Sequence, residues 1–417
     1  MNMQIWKKRR KQLMAVFLIF SLFLPFCILE NVDGKGVSIQ SEVEQAESSE
    51  TTNSETVLSL DAPSYLLMEE TTGKVILEKA SEERRSPASI TKIMTLILIL
   101  DALESGKIQL EDEVSTSAHA KSMGGSQVFL EEGEVQTVET LIKCIVIASG
   151  NDASVAMAEY IGGSEEAFVN MMNERAKGLG MTETHFVDCC GLTEDDNHYS
   201  SAKDVAIMSR ELSLKYPKIH EYASIWMEDI THVTKQGSKQ FTLSNTNKLI
   251  RQYQGATGLK TGSTSKAKFC LSATAERNGV KLIAVVMGCP DSKARVRDAS
   301  KLLDYGFANC VIYEDTKSIE SLPDVMVSQG MEKKVKIEAV EPFRYVFTNG
   351  TATDITYQIE IKEKLKAPVK KGQEVGAIHY FIGEKEIGSV LLLTKESVKK
   401  MSYKIGFLRI LEKYVTF

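Results

Sequence analysis

Positive charge is in short supply in this chain of 417 residues: 50 Lys and Arg face 56 Asp and Glu, a formal net charge of −6. That balance gives no general pull toward nucleic acid, and no basic, aromatic-studded segment suggests RNA binding. The six histidines (His119, His185, His198, His220, His232 and His379) are scattered, with neither HExxH nor metal-ligand spacing. Each is expected to be an ordinary surface or core residue, not a metal ligand. No dinucleotide fingerprint occurs, so no cofactor is expected. Cysteine is sparse as well, seven in all and none in CxxC spacing. A chain this long does not need staples, so Cys144, Cys189, Cys190, Cys270, Cys289 and Cys310 are expected to be free buried thiols. The adjacent pair Cys189-Cys190 would close a strained ring if bridged.

An apolar run long enough to span a bilayer is missing too. The stretch from Leu13 to Cys27, broken only by Ser21 and Pro25, follows the basic cluster Lys7-Lys8-Arg9-Arg10-Lys11. Its length and flanks fit a secretory signal peptide, residues 1–36, better than a spanning helix. Cys27 sits where a lipoprotein cysteine would, but Phe26 before it is too bulky for that cleavage site. Residues 37–60 (VSIQSEVEQAESSETTNSETVLSL) contain no aromatic side chain and are rich in Ser, Glu and Thr. Such a segment cannot bury enough surface to fold, and it reads as a tether.

Over its full length the chain is 43% hydrophobic and 25% charged, enough for one large core and a smaller second domain. Tyr65-Leu66-Leu67-Met68 and Val75-Ile76-Leu77 flank Thr72-Gly73 and predict a hairpin. Ile90 to Leu103 is almost continuously apolar, the mark of a helix buried on all sides, with Pro87 suited to its first turn. Helical patterns run through Leu141–Ile161 and Ala167–Leu179. Phe269–Thr274 and Val280–Met287 are joined through Arg277-Asn278-Gly279, a tight-turn signal. Strands at both ends with helices between them give an α+β domain over 61–308, an antiparallel sheet packed with helices. In 309–394, Lys334–Val340, Tyr357–Ile361, Val375–Ile382 and Ile387–Leu393 read as strands of a small all-β domain. In 395–417, Met401, Ile405, Leu408, Leu411 and Val415 recur at helical spacing among Lys399, Lys400, Lys404, Arg409 and Lys413. That pattern suits a helix lying on a membrane surface, the alternative being a terminal helix packed on its own domain.

Three short motifs carry chemistry. In Ser89-Ile90-Thr91-Lys92 the hydroxyl and the amine share one helical face. A serine needs a base to become a nucleophile, and a lysine serves once burial or positive neighbours lower its pKa. The same spacing recurs at Ser200, Ser263, Ser265 and Ser397, but only Ser89 opens a long apolar helix. Ser149-Gly150-Asn151, the one S-x-N of the chain, could relay a proton and hold a peptide backbone, or could simply cap a helix. Lys260-Thr261-Gly262, also unique, precedes the strand at Phe269, where glycine admits a close backbone and Lys and Thr can bind a carboxylate. Its bland counterpart is an exposed turn.

The ordered set S-x-x-K, S-x-N, K-T-G is the one found in penicillin-binding proteins and serine β-lactamases. Together with SPASITKIMT, IVIASGNDASVAMAEYI, MTETHFVDCCGL, HYSSAKDVAIMSREL and GATGLKTGSTSKA, it makes the chain from about Ala62 onward resemble the low-molecular-weight penicillin-binding proteins, the S11 peptidases with D-Ala-D-Ala carboxypeptidase activity. Within that family it looks like the sporulation-type members of Gram-positive bacteria. The resemblance implies a penicillin-binding/β-lactamase-like fold followed by the β-rich domain. It implies peptidoglycan stems ending in D-Ala-D-Ala as substrate, covalent capture of β-lactam antibiotics, and export to the outer face of the cytoplasmic membrane or the cell wall. Ser89 would be the acylated nucleophile and Lys92 its base, with a pKa lowered by burial and by Lys260. Ser149 and Asn151 would line the cleft, and Lys260 and Thr261 would hold the terminal carboxylate beside Gly262. The oxyanion hole would be the N–H groups of Ser89 and Ser263. Spacing back from Leu302 points to Arg295 as the family's carboxylate-binding arginine, with Arg297 as the alternative. Asp188-Cys189-Cys190-Gly191 departs from the family pattern, which has asparagine at the first position and no cysteine pair. The rival readings are a serine β-lactamase, whose deacylating E-x-x-L-N motif is missing between Asn151 and Lys260, and a non-catalytic wall-binding protein on the same fold.

Overall fold

The computed structural model describes residues 58–415 apart from 236, 316, 321 and 349, so the signal segment and most of the tether lie outside the described residues. Order begins before Asp61: Leu58 and Leu60 pack on the core, and Lys301 donates to the Ser59 carbonyl at 2.7 Å.

The first hairpin is β1 (Ser64–Glu69) with β2 (Val75–Lys79), turning at Gly73 with φ +72. A short 3-10 turn, Ala88–Thr91, then leads into α1 (Lys92–Glu104), whose Ile93, Met94, Leu96, Ile97 and Ile99 are all buried. Helices α2 (Val138–Val146), α3 (Asn151–Gly162), α4 (Glu165–Gly178) and α5 (Ala202–Lys215) follow. After the hairpin β3 (Met227–Thr234) and β4 (Gly237–Ser244) come β5 (Ala256–Thr264), β6 (Lys268–Arg277), β7 (Val280–Cys289) and α6 (Ser292–Asn309). The central sheet has the order β2-β1-β7-β6-β5, antiparallel throughout, so the two ends of the domain meet where β1 pairs with β7.

Side-chain alternation explains why both faces of this sheet are covered. Leu66 and Met68 of β1, with Ile283, Val285 and Met287 of β7, belong to the helical core around α1. The intervening Tyr65 and Leu67, with Leu282, Ala284 and Val286, pack against Leu302 and Leu303 of α6. The β6–β7 turn is tight because Asn278 and Gly279 both take positive φ, +50 and +78.

The structure differs from the sequence pattern at several places within this domain, two of which bear on the site and its surroundings. The helical stretch 141–161 is broken at 147–150, where Ser149 adopts φ +62 and Gly150 caps α3. Apolar residues bury themselves equally on both sides of that break, so periodicity runs through it. The hairpin β3–β4 was not anticipated.

Beyond α6 a separate core of β-strands forms. Ile337–Ala339, Lys385–Thr394, Glu374–Ile382 and Thr356–Ile361 make a four-stranded antiparallel sheet. Unforeseen strands form two further small sheets: Val311–Asp315 pairs with Phe343–Phe347, and Val325–Ser328 lies parallel to Lys364–Lys366. Tyr380, fully buried, stacks on Phe343 at 3.8 Å. Residues 395–400 stay with this domain, since Lys395 N–H donates to Lys336 O and Val398 exchanges backbone bonds with Val369. The terminal helix α7 is Tyr403–Val415, and along it Tyr403, Phe407, Leu408 and Leu411 are 100%, 63%, 51% and 42% exposed. Among the described residues no helix is long and apolar enough to cross a membrane.

Candidate active site

Ser89 lies in the 3-10 turn, directly after Ala88 at φ +47, and Lys92 is the first residue of α1. Three residues of tight helix bring Lys92 Nζ to 3.0 Å from Ser89 Oγ. The lysine is wholly buried, and its other two partners are Asn151 Oδ1 at 2.6 Å and the Cys190 carbonyl at 2.7 Å. All three are oxygen atoms of uncharged groups. As a free amine Lys92 would therefore donate to Asn151 and Cys190 and keep its lone pair for the Ser89 hydroxyl.

The α2–α3 break puts Ser149 and Asn151 into the same cleft. Ser149 Oγ accepts from Lys260 Nζ at 2.8 Å, and Asn151 Nδ2 donates to the Gly124 carbonyl at 2.7 Å. The strand β5 supplies the third wall. A Cβ at Gly262 would stand 2.6 Å from the Pro87 carbonyl and 3.2 Å from Ala88 Cβ, so only glycine lets β5 approach the serine turn this closely. Thr261 Oγ1 sits 2.7 Å from Thr246 Oγ1, and Ser263 is exposed at the mouth. From behind, Arg295 Nη1 donates to the Gly262 carbonyl at 3.2 Å, its guanidinium 5.6 Å from the Phe269 ring. Arg297 points elsewhere, pairing with Asp61 and Asp298. Of the two arginines, it is Arg295 that reaches the strand carrying Lys260, Thr261 and Gly262.

Burial holds Lys92 below the ordinary lysine range, while Cys190, Cys189, Asp188 and Asp152 act in the opposite sense. Lys260 is driven well below that range, by burial first and then by the charges of Lys92 and Arg295. Repulsion between the two lysines is thus expressed on Lys260, where the sequence pointed to Lys92; for Lys92 burial is the cause.

Other contributors carried no sequence signal. The Cys190 carbonyl is a backbone atom. Thr91, inside the first motif, is 2.8 Å from His198 Nε2, and because His198 Nδ1 accepts the Val187 N–H at 3.0 Å, the neutral ring donates through Nε2. A histidine read as ordinary therefore braces the serine turn from below. The six described cysteines are free and buried. Burial lifts the thiols of Cys144, Cys189, Cys270, Cys289 and Cys310, the Cys270 thiol to about 11, which leaves these five poor nucleophiles.

Known proteins resemble the chain along most of its length. Residues 49–291 match the peptidase S11 family, described as D-alanyl-D-alanine carboxypeptidase, and residues 312–400 match the C-terminal domain of penicillin-binding protein 5. The D-alanyl-D-alanine carboxypeptidase DacF of Bacillus subtilis is 44% identical over 357 residues, 85% of this chain and 90% of that protein. The crystal structure of penicillin-binding protein 5 from Haemophilus influenzae superimposes with a TM-score of 0.69 at 31% identity, covering 83% of this chain and 99% of that one. The Streptomyces K15 DD-transpeptidase covers 60% of this chain and 98% of its own, with a TM-score of 0.57 and 31% identity. With an S11 catalytic domain, a penicillin-binding-protein β-domain and relatives aligned along most of its length, the chain belongs to the peptidase S11 family of serine D-alanyl-D-alanine carboxypeptidases.

Proposed function

We propose that Ser89 attacks the penultimate D-alanine carbonyl of a peptidoglycan stem ending in D-Ala-D-Ala, with Lys92 as the base that takes its proton. Lys260, Thr261 and Arg295 hold the terminal carboxylate, and Asn151 receives the stem backbone. The tetrahedral oxyanion forms between the N–H groups of Ser89 and Ser263, where fixed dipoles need no reorganisation as charge develops. Ser149 passes a proton to the departing amine, D-alanine leaves, and water hydrolyses the ester on Ser89. A β-lactam enters by the same attack, but its leaving nitrogen stays tethered, so the acyl-enzyme persists. The observation that carries this reading is Lys92 Nζ, buried and shared between Ser89 Oγ and Asn151 Oδ1, with the Lys260–Ser149 pair beside it.

The test is D-alanine release from a defined pentapeptide, followed by mass spectrometry, with its free acid compared with its C-terminal amide. Amidation is expected to cost of order ~2–5 kcal/mol of transition-state stabilisation, the scale of removing one partner from a buried charge pair. Arg295→Ala should narrow that acid-over-amide preference. An unchanged preference in the variant would remove Arg295 from the carboxylate site.

The enzyme works outside the cytoplasm in this reading, exported by its N-terminal signal and held at the membrane by α7. Its exposed Tyr403, Phe407, Leu408 and Leu411 supply an apolar surface, and Lys399, Lys400 and Lys404 flank it. Anionic lipid attracts such a segment by about 1 kcal/mol for each basic residue near the surface. Deleting residues 402–417 should leave pentapeptide hydrolysis unchanged and abolish co-sedimentation with anionic vesicles at low salt. Equal sedimentation of the full and shortened chains would refute the anchor.

A further inference from the structure

We propose that Asp188 is a positioning residue for acylation: its carboxylate ties down the turn that holds the Cys190 carbonyl against Lys92, and it places a fixed negative charge beside that lysine. The proposal rests on Lys92 being the base. Asp188 Oδ1 accepts the N–H groups of Cys190, at 2.8 Å, and of Gly191, while Oδ2 accepts that of Thr193 at 2.7 Å. The same turn is fixed from three further sides. Thr95 Oγ1 donates to the Cys189 carbonyl at 2.5 Å, and Glu165 Oε1 accepts the Cys189 N–H at 3.1 Å. Gly191, at φ +76, lies so close to the serine turn that a Cβ there would be 1.9 Å from the Ala88 carbonyl. A turn clamped this way has no freedom to let Cys190 O drift from Lys92 Nζ.

The charge matters because no carboxylate touches Lys92. Its three contacts are a hydroxyl, an amide oxygen and a carbonyl. Acidic groups reach it only through space, Asp188 from the turn and Asp152 from α3, where the Asp152 carboxylate accepts the N–H groups of Val128 and Leu130. The other ionisable groups facing this region are the Cys189 and Cys190 thiols, Lys260 from β5, Glu165 from α4, and His198 behind Thr91. Asp188 stays ionised despite its burial: the N–H groups of Thr193, Gly191 and Cys190 all donate to its carboxylate, whose pKa sits below the usual carboxylate range. Its charge therefore favours the protonated lysine and moves the onset of base function to higher pH. This is the position where the chain departs from the asparagine of the family pattern.

The experiment follows the rate of acylation by a fluorescent penicillin across pH for the full chain and two variants. Asp188→Asn keeps an acceptor for Cys190 and Gly191 but removes the charge, so the acid limb should move down by about one pH unit. Its high-pH plateau should stay within a few-fold of the wild type. Asp188→Ala releases the turn as well, and its plateau should fall by an order of magnitude or more. An acid limb left in place by Asp188→Asn, or a wild-type plateau in Asp188→Ala, would overturn the proposal. A wild-type rate that does not rise with pH would instead remove Lys92 as the base, and the role of Asp188 with it.

Discussion

Ser89→Ala is expected to abolish covalent labelling by fluorescent penicillin while leaving the melting temperature close to that of the wild type. Ser89 is only half-buried, and its hydroxyl makes one side-chain contact, to Lys92 Nζ at 3.0 Å. Alanine therefore leaves little cavity and no unsatisfied carboxylate or carbonyl. Chemically the loss is total, because the removed oxygen is the atom that forms the ester. Removal of a nucleophile in comparable serine enzymes costs about six orders of magnitude in turnover. Intact-mass spectrometry after long incubation is the decisive readout. Stoichiometric labelling of the variant would transfer the nucleophile to Ser149, the other serine that touches a buried lysine, at 2.8 Å from Lys260 Nζ.

Lys92→Arg should be nearly as damaging, for an electrostatic reason. General-base assistance is worth roughly 10²–10⁴ in rate, and a guanidinium cannot give up its proton in any accessible pH range. Arginine would also have to fit a planar fork into a fully buried site whose acceptors, Ser89 Oγ, Asn151 Oδ1 and Cys190 O, surround a single amine nitrogen. In the wild type, acylation should rise with pH as the depressed amine loses its proton; in Lys92→Arg that limb should vanish. The sign for stability is the same. The folded pKa of Lys92 lies below the ordinary 10.5, so the unfolded chain binds more protons between the two values and stability rises with pH across that window. An arginine variant acylating at wild-type speed, or retaining the pH limb, would show that another group takes the Ser89 proton.

Much of this enzyme was legible as text. A run apolar on every side had to be a buried helix, and Asn278-Gly279 had to turn a hairpin, because local sterics and burial set both outcomes. The order of the three motifs singled out Ser89, Lys92 and the strand of Lys260, Thr261 and Gly262, and folding brings these segments into one cleft. The tail's stripe of apolar and basic residues was equally visible, and its exposed side chains lie on a helix that starts later than the pattern suggested, at Tyr403.

Tertiary structure decided the rest. The break at 147–150 that swings Ser149 toward Lys260 left no trace in periodicity, since hydrophobic spacing reports which side chains are buried and says nothing of backbone continuity. Spacing pointed to Arg295 with Arg297 as the alternative, but that Arg295 reaches β5 while Arg297 pairs with Asp61 is a matter of how α6 packs, which spacing does not report. The third partner of Lys92 is the Cys190 carbonyl, an acceptor that every residue possesses and no residue type advertises. Asp188 and His198 act on the site only because folding brings the 185–200 segment beneath the serine turn. Motif residues are readable because their side chains do the chemistry; the groups that hold them in place are set by proximity, and proximity exists only after the chain has folded.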